Sequence, residues 1–219
     1  MISNRLNRLS SYVSNNDRLI DIGCDHALLD IYLIKNKVLD KVIVSDVHEG
    51  ALNAGISNIK KEKLSKKIET RLGNGMEVLS DKDEINTVLI SGMGTTTILD
   101  ILNNNYLKNI NKLIIQSNND HTELRTEVTK LGYIVKDEEY LVDMGKNYII
   151  IVFEKGNKKY TKDELRYGPI LIKDKAYLNF ELNQCIKIKN FIPTNKLVLK
   201  FRLNKEIRHL KKLIKRCGE

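Results

Sequence analysis

The stretch Arg18-Leu-Ile-Asp-Ile-Gly-Cys-Asp-His26 decides the fold of this 219-residue chain. Apolar residues around Asp21 predict a short buried strand, and Gly23 allows a tight turn into a helix that starts with Ala27. A strand that breaks at a glycine into a helix builds a concave edge where backbone N–H groups face a ligand. We therefore expect one side of a ligand site here.

A second predicted strand, Lys41-Val-Ile-Val-Ser-Asp46, ends in an acid 23 residues after Gly23. An acid at this spacing can hold the two hydroxyls of a ribose, although a lone acid after a strand can also be a turn former. The pattern G-x-G-x-x-G is absent because Asp25 and Leu28 replace its second and third glycines, and no G-x-x-x-x-G-K-[ST] loop occurs. A ribose-binding acid without a phosphate cradle indicates a nucleoside that carries a positive charge.

S-adenosylmethionine fits this description, because Asp21 and Asp25 would favour its ammonium and sulfonium groups. The alternative for these two acids is a structural role near a helix N-terminus, where the helix dipole favours negative charge.

Strands and helices alternate along the first two thirds of the chain, which predicts a doubly wound, mostly parallel sheet with right-handed crossovers. Leu6, Leu9 and Val13 predict an opening helix that carries Arg5 and Arg8 near its exposed side. Further helices are expected at about 27–36 and 49–62, up to about 103, and around Leu124 to Leu131. The predicted strands, of which the last pair is antiparallel, are 18–24, 41–46, 68–72, 86–91, 112–116, 133–135, 138–141 and 148–153.

The alternation stops near residue 155, at the polar junction Gly156-Asn-Lys-Lys159. Two apolar stripes at helical spacing follow and are separated by Pro193-Thr194, where Thr194 can cap the second helix. Helices joined by so short a break should form an antiparallel hairpin that resembles a coiled coil. The two stripes are Leu178, Leu182, Cys185 and Ile192, then Leu199, Leu203, Ile207, Leu210 and Ile214.

The net charge of +9 lies wholly in the C-terminal part. Residues 1–154 carry 19 basic and 22 acidic side chains, whereas residues 155–219 carry 18 basic and 6 acidic ones. Such an asymmetry is expected if the C-terminal part binds a polyanion. The alternative is a solvated helix face in a chain whose composition is rich in lysine.

The composition also indicates the cellular compartment in which we expect the protein. The sequence has no run of 18 apolar residues and no signal-peptide pattern, so we expect a cytoplasmic protein without a membrane partner. Cys24, Cys185 and Cys217 are odd in number and widely spaced, which suits a reducing compartment and gives no metal-ligand pattern.

Several chemistry-bearing residues fall at the ends of the predicted strands, where ligands bind in sheets of this kind. Asn74 could bond an adenine edge, or Asn74-Gly75 could be a plain turn. Gly92-Met93-Gly94 would let an acceptor base approach closely, with Met93 as an apolar wall. Gln116 and Asn118 could bond a base edge or satisfy local backbone. Enzymes that methylate exocyclic amines hold the amine nitrogen with an N-P-P-Y-type tetrapeptide, which this sequence lacks. Its absence favours a ring nitrogen as the methyl acceptor.

Six segments of the chain carry a family pattern, namely Asp21-Ile-Gly-Cys-Asp-His-Ala27, Ser45-Asp-Val47, Leu72-Gly-Asn-Gly75, Ile90-Ser-Gly-Met-Gly94, Gln116-Ser-Asn118 and Leu165-Arg-Tyr-Gly-Pro169. Together they resemble the TrmK family of bacterial tRNA (adenine-N1)-methyltransferases, which act on adenine 22. The resemblance implies an α/β fold with a Rossmann-like class I methyltransferase sheet at 1–155, S-adenosylmethionine as cofactor, and a helical tRNA-binding domain at 156–219.

Three positions depart from the family pattern. Asn74 stands where an acid is usual, Thr95 replaces a glycine, and Ser117 replaces a proline. The first departure bears on adenine binding, and the other two bear on the stiffness of loops beside the expected acceptor pocket.

The candidate site is therefore assigned in three groups. The catalytic candidates are Asp25 and Met93. The cofactor-binding candidates are Asp21, Gly23, Cys24, Asp25, His26, Asp46, Val47, Asn74, Gly75, Met76 and Gly92. The candidates for RNA binding are Arg5, Arg8, Lys200, Arg202, Lys205, Arg208, Lys211 and Lys212.

Two other functions remain open from the sequence. One is an RNA-binding module that keeps an inactive methyltransferase shell, and the other is a small-molecule methyltransferase with an unrelated basic tail.

Overall fold

A computed structural model describes residues 2–193 and 195–217, in two compact units that divide between Lys158 and Lys159. The first unit has the α/β architecture that the alternating pattern predicts. Its elements in chain order are α1 (Asn4–Ser11), β1 (Leu19–Ile22), α2 (Leu28–Lys35), β2 (Val42–Asp46), α3 (Glu49–Lys61), β3 (Ile68–Leu72), β4 (Thr87–Met93), α4 (Thr95–Leu102), β5 (Lys112–Ser117), α5 (His121–Lys130), β6 (Tyr133–Asp143) and β7 (Lys146–Lys155).

The seven strands form one sheet in the order β3-β2-β1-β4-β5-β7-β6. All pairs from β3 to β5 are parallel, whereas β7 is antiparallel to both of its neighbours. The strand order reverses between β1 and β4, which is the switch point where a doubly wound sheet opens a crevice for ligands. The predicted fold class, including the antiparallel last pair, is confirmed.

The central strands are apolar because both faces of the sheet are covered. All four residues of β1 and all five residues of β2 are buried. Strands that are buried on both sides read as continuous apolar runs rather than as alternating ones. The polar residues Asp21, Ser45 and Asp46 interrupt this pattern at the carboxyl end, where the site lies.

The segment from Tyr133 to Asp143 differs from the prediction of two short strands. It is one continuous strand, with an irregular register between Val135 and Asp137. A bulge places one extra residue on the strand and breaks the alternation of side chains. The break in the sequence pattern marks this bulge rather than a loop.

The second unit contains α6 (Lys162–Tyr167), α7 (Lys175–Phe191) and α8 (Leu197–Arg216), and α7 packs against α8 as the expected hairpin. Thr194, the predicted cap, lies outside the described residues. Leu178 and Leu210 are fully buried, as the stripes predict.

The prediction that the second stripe is buried is only partly correct. Leu199 is 46% exposed, Leu203, Ile207 and Ile214 are half-buried, and Leu213 is buried instead. The buried residues of α8 are concentrated in its C-terminal half. There the unit also contains α6, which bonds α8 through Asp163 and His209.

Across the described residues, we find no helix that is both long enough and apolar enough to cross a membrane.

Candidate active site at the carboxyl edge of the sheet

A cavity of about 520 Å³ opens at the carboxyl edge of the sheet, beside the switch point. Its walls come from the ends of β1, β2 and β4, from the loop after β3, and from α1 and α4. The predicted site residues that line it are Asp21, Gly23, Cys24, Asp25, Asp46, Val47, Asn74, Gly75, Gly92, Met93 and Arg5.

The loop after β1 is held by a shared acceptor. The backbone N–H groups of Gly23 and Cys24 both donate to the carbonyl of Ser45, at 2.8 and 3.2 Å. Asp25 and Ala27 then adopt positive φ values of 47° and 54°. This left-handed backbone turns the Asp25 side chain, which is 69% exposed, toward the cavity mouth.

Asp46 ends β2 with a nearly buried carboxylate. Its Oδ1 accepts a hydrogen bond of 2.8 Å from the backbone N–H of His48, and the His48 ring Nδ1 lies 3.4 Å from the same oxygen. One carboxylate oxygen is therefore fixed by the turn, so the side chain can present the other at a set angle. This geometry suits the two hydroxyls of a ribose.

The opposite wall depends on the lack of a side chain at Gly23. A Cβ atom placed there would lie 2.2 Å from the Cε of Met93, and the φ of Gly23 is +78°. The turn after β1 and the end of β4 can thus approach each other closely. Met93 forms an apolar wall of the cavity, as the sequence predicts.

Among the candidates of the first unit, three do not line the cavity. The His26 ring is exposed and lies 3.6 Å from Asp25, and Met76 is buried elsewhere in the core. Arg8 pairs with Glu139 at 2.8 Å on the surface. The left-handed backbone on both sides of His26 explains its orientation, and the short helical turn after Asn74 turns Met76 inward.

The expectation that Arg5 lies on the exposed side of α1 is wrong. Its guanidinium lines the cavity and donates to Ser91 Oγ at 2.5 Å and to Gln116 Oε1 at 2.9 Å. It also lies over the Tyr148 ring, 5.3 Å from the centroid. Three polar or aromatic partners near the sheet edge outweigh solvation of the side chain at the surface.

Gln116 and Asn118 satisfy local groups rather than reach into the cavity. Gln116 is buried and donates to the Ser117 carbonyl at 2.9 Å, and Asn118 donates to the Gly92 carbonyl at 2.6 Å. Of the two readings left open by the sequence, the structure therefore favours the local one.

Two of the three departures from the family pattern are bonded to each other. The hydroxyls of Thr95 and Ser117 lie 2.8 Å apart in a buried position, and Thr95 also donates to the Asn119 carbonyl at 2.6 Å. A threonine and a serine thus tie the start of α4 to the end of β5 by side-chain hydrogen bonds. Asn74, the third departure, lines the cavity and is exposed.

A second acid lies behind Asp21 and was not predicted. Asp30 on α2 is fully buried, and neither of its oxygens has a hydrogen-bond partner within 3.5 Å among the described residues. Burial raises the pKa of Asp30 to about 7. Burial, and next the Asp30 carboxyl, raise the pKa of Asp21, while Arg5 opposes the rise.

Asp21, which lines the cavity, is therefore backed by the carboxyl group of Asp30, which is fully buried and does not itself line the cavity. Two buried carboxylates so close together resist double ionisation, and a cation beside Asp21 would relieve this. The pair fits a positively charged ligand group and does not fit a pyrophosphate.

Two other titratable groups are unsuited to proton transfer. Burial raises the pKa of the Cys24 thiol, which stays protonated. Burial also lowers the pKa of His121 to about 4, and its ring lies 3.2 Å from the Ser117 carbonyl, so the imidazole is neutral.

Sequence reasoning also missed Ser91, His48, Thr97 and Ile101, which all line the cavity. Thr97 and Ile101 are four residues apart on α4, so a helical-spacing signal was available once that helix was placed beside the site. Ser91 belongs to a quoted segment but carried no assigned role.

The strand order and the acidic cavity at the carboxyl edge of the sheet are typical of a Rossmann-like methyltransferase. The family model of TrmK, tRNA (adenine(22)-N(1))-methyltransferase, matches residues 19–219. The chain belongs to this family.

Individual relatives are similar to this chain over most of their length. The tRNA (adenine(22)-N(1))-methyltransferase of Bacillus subtilis strain 168 is 31% identical over 182 residues, which cover 80% of this chain and 76% of the relative. The structure of M. capricolum TrmK with S-adenosyl-homocysteine has 30% identity and a TM-score of 0.85, with 98% of both chains covered.

A third similar structure is Sp1610 of Streptococcus pneumoniae in complex with S-adenosyl-L-methionine. Its identity to this chain is 30% and its TM-score 0.90, with 98% of this chain and 100% of that one covered.

The buried acid pair makes stability depend on pH. Asp30 can be buried at little cost only while its carboxyl group is protonated. Its contribution to the free energy of unfolding is therefore fully present below about pH 4 and is lost as the pH rises toward 7. We expect Asp30→Asn to unfold at higher denaturant concentration than the parent at pH 8. A pKa difference of one corresponds to about 1.4 kcal/mol, so the free energy of unfolding at pH 8 should increase by about 2–4 kcal/mol.

Urea titrations at pH 5 and pH 8 measure this, with Asp40→Asn as a control at an exposed acid. If the parent and Asp30→Asn lose the same free energy of unfolding between the two pH values, the buried pair does not carry the dependence.

Proposed function

We propose that this protein transfers the methyl group of S-adenosylmethionine to N1 of adenine 22 in tRNA. The observation that carries the proposal is the acidic cavity without a phosphate cradle, in a chain that belongs to the TrmK family. S-adenosylmethionine supplies an electrophilic methyl group on a sulfonium centre. In the proposal, Asp46 holds the ribose, Asp21 faces the ammonium group, and Asn74 bonds the adenine edge.

The remaining cofactor assignments rest on position. Gly23, Cys24, Val47, Gly75 and Gly92 supply backbone and small walls of the cavity. His26 and Met76 would act only through the loops that carry them, because neither lines the cavity.

Methyl transfer to this acceptor needs no strong general base from the protein. Adenine N1 has an in-plane lone pair, so it can attack a methyl group without first losing a proton, and the methylated base becomes cationic. Catalysis then consists mainly of alignment and electrostatic stabilisation. Asp25 lies at the cavity mouth and would stabilise the developing charge, and Met93 would align the base.

Recognition of tRNA is proposed for the second unit, with a contribution from α1. N1 lies on the pairing edge of adenine, so the base must first be exposed, which costs a few kcal/mol. Phosphate contacts from basic side chains can offset this cost. The residues proposed for them are Arg5, Arg8, Lys200, Arg202, Lys205, Arg208, Lys211 and Lys212.

Arg5 and Arg8 contribute differently in this scheme. Arg5 lines the cavity, and in this scheme it would contact the phosphate of the acceptor nucleotide. Arg8 would first have to leave Glu139, which makes its contribution the smaller of the two.

The test of the proposal is methyl transfer from labelled S-adenosylmethionine to unmodified bulk tRNA, followed by mapping of the modified base. The expected product is 1-methyladenine at position 22. Cofactor binding without transfer to tRNA would favour a small-molecule methyltransferase, and RNA binding without cofactor binding would favour an inactive shell.

Asp46→Ala should weaken the binding of S-adenosylmethionine by about 1–3 kcal/mol, because charge-assisted hydrogen bonds to the ribose are lost. Calorimetric titration measures the change. Asp40→Ala is the matched control, since Asp40 precedes the same strand at its opposite end. Equal affinities of the parent and a folded Asp46→Ala variant would refute the assignment.

Asp25→Ala should lower the rate of methyl transfer far more than the affinity for cofactor, because its proposed interaction strengthens in the transition state. Single-turnover rates are compared with binding constants for the same variant. Asp40→Ala, which removes an exposed acid at the opposite end of β2, should keep both values near those of the parent. A parallel loss of rate and affinity would make Asp25 a binding residue only.

A further inference from the structure

One face of α8 combines an exposed aromatic ring with a row of cations. Phe201, Lys205, Arg208 and Lys212 recur at spacings of four, three and four residues, which places them on one side of the helix. We call these four residues the α8 stripe. All four line a cavity of about 650 Å³ within the second unit. From first to last, the stripe extends about 16 Å along the helix axis, at about 1.5 Å per residue.

The cations of the stripe are available, whereas the carboxylates beside them are engaged. Among the residues described, Lys205, Arg208 and Lys212 form no salt bridge. Glu206 pairs with Arg166 at 2.7 Å, and Asp163 lies 2.9 Å from the His209 ring. The cavity therefore presents uncompensated positive charge.

The aromatic ring stands at the head of this row. Phe201 is 69% exposed and is the one apolar residue among the described residues that line the cavity. Leu197, Val198 and Leu199 are also exposed on this end of α8, but none of them lines the cavity, where the ring of Phe201 is surrounded by polar and charged side chains. A ring followed by cations matches a nucleic acid, in which a base stacks on the ring and phosphates meet the cations.

We propose that the α8 stripe binds an unpaired nucleotide of the RNA substrate, with its base stacked on Phe201 and the adjoining phosphates on Lys205, Arg208 and Lys212. The inference rests on the proposed function, because it takes RNA as the partner. It goes further in selecting one face of α8 and in requiring an unstacked base there. Lys200 and Lys211, which do not line the cavity, lie outside the stripe.

The stacking step is tested with Phe201→Leu, which keeps an apolar side chain but removes the π face. The probes are unmodified bulk tRNA, a 12-nucleotide single-stranded RNA, and a fully paired duplex of the same length. Affinity for tRNA and for the single strand should fall about 5- to 100-fold, the range of one base–aromatic stack. Affinity for the duplex, which offers phosphates but no unstacked base, should not change.

Two further variants control this experiment. Phe201→Tyr keeps the ring and should retain the parent affinity. Val198→Ala removes apolar surface from a neighbouring residue that is also 69% exposed but does not line the cavity, and it should bind as the parent does. Since these side chains are exposed, thermal unfolding should be unchanged in all three variants.

The phosphate step is tested through the dependence of tRNA affinity on salt. The triple change Lys205→Ala, Arg208→Ala and Lys212→Ala should flatten the slope of log affinity against log salt by about 2–3, given about 0.7–0.9 per phosphate contact. The matched triple change Lys60→Ala, Lys61→Ala and Lys66→Ala removes three exposed lysines of the first unit that have no proposed RNA contact, and it should leave the slope as it is in the parent. Phe201→Leu should leave the slope as it is in the parent.

The outcomes separate this inference from the proposed function. If the parent methylates tRNA but Phe201→Leu binds all three probes as the parent does, the inference fails and the function stands. If the parent neither binds nor methylates tRNA, both fail. Loss of binding to phosphatidylglycerol vesicles, or of self-association in sedimentation, with RNA affinity unchanged in Phe201→Leu, would also overturn the inference.

Discussion

The carbonyl oxygen of Ser45 is the junction on which the site depends. It accepts hydrogen bonds from two successive backbone N–H groups, those of Gly23 and Cys24. Parallel strands alone would align β1 with β2 but would leave the chain after β1 undetermined. This shared acceptor ties that chain to β2 one residue before Asp46. The ribose-binding candidate and the acids of the first loop therefore lie at one edge at a fixed separation.

The second constraint is the space between the first loop and β4. The Met93 methyl lies 2.2 Å from the position that a Cβ atom on Gly23 would take, and Met93 gives the cavity an apolar wall. Farther along this edge, Thr95 replaces a glycine, which leaves the backbone free, and Ser117 replaces a proline, which fixes its own φ. The hydrogen bond between their hydroxyls joins the start of α4 to the end of β5. We interpret the paired departures as a side-chain restraint that takes the place of the proline's backbone restraint.

The sequence predicted what depends on order along the chain, namely the strand alternation, the glycine turn and the acid at the tip of β2. It did not predict what depends on side-chain direction. Asp30 was assigned no role from the sequence, yet it is fully buried behind Asp21. Arg5 was expected to face solvent, yet it bonds Ser91 and Gln116. Such directions follow from backbone dihedrals and tertiary partners, which apolar periodicity does not encode.

The hairpin shows the same limit in a helix. Its heptad-like stripe predicts burial at every apolar position, but a stripe is buried only where another element covers it. In the C-terminal half of α8, Asp163 and Tyr167 of α6 bond His209 and Glu206, and Leu210 and Leu213 are buried. In the N-terminal half, Leu199 and Phe201 remain exposed. The C-terminal half of α8 thus combines buried apolar residues with the exposed cations Arg208 and Lys212, whereas the N-terminal half keeps its apolar residues exposed, including Phe201 of the α8 stripe.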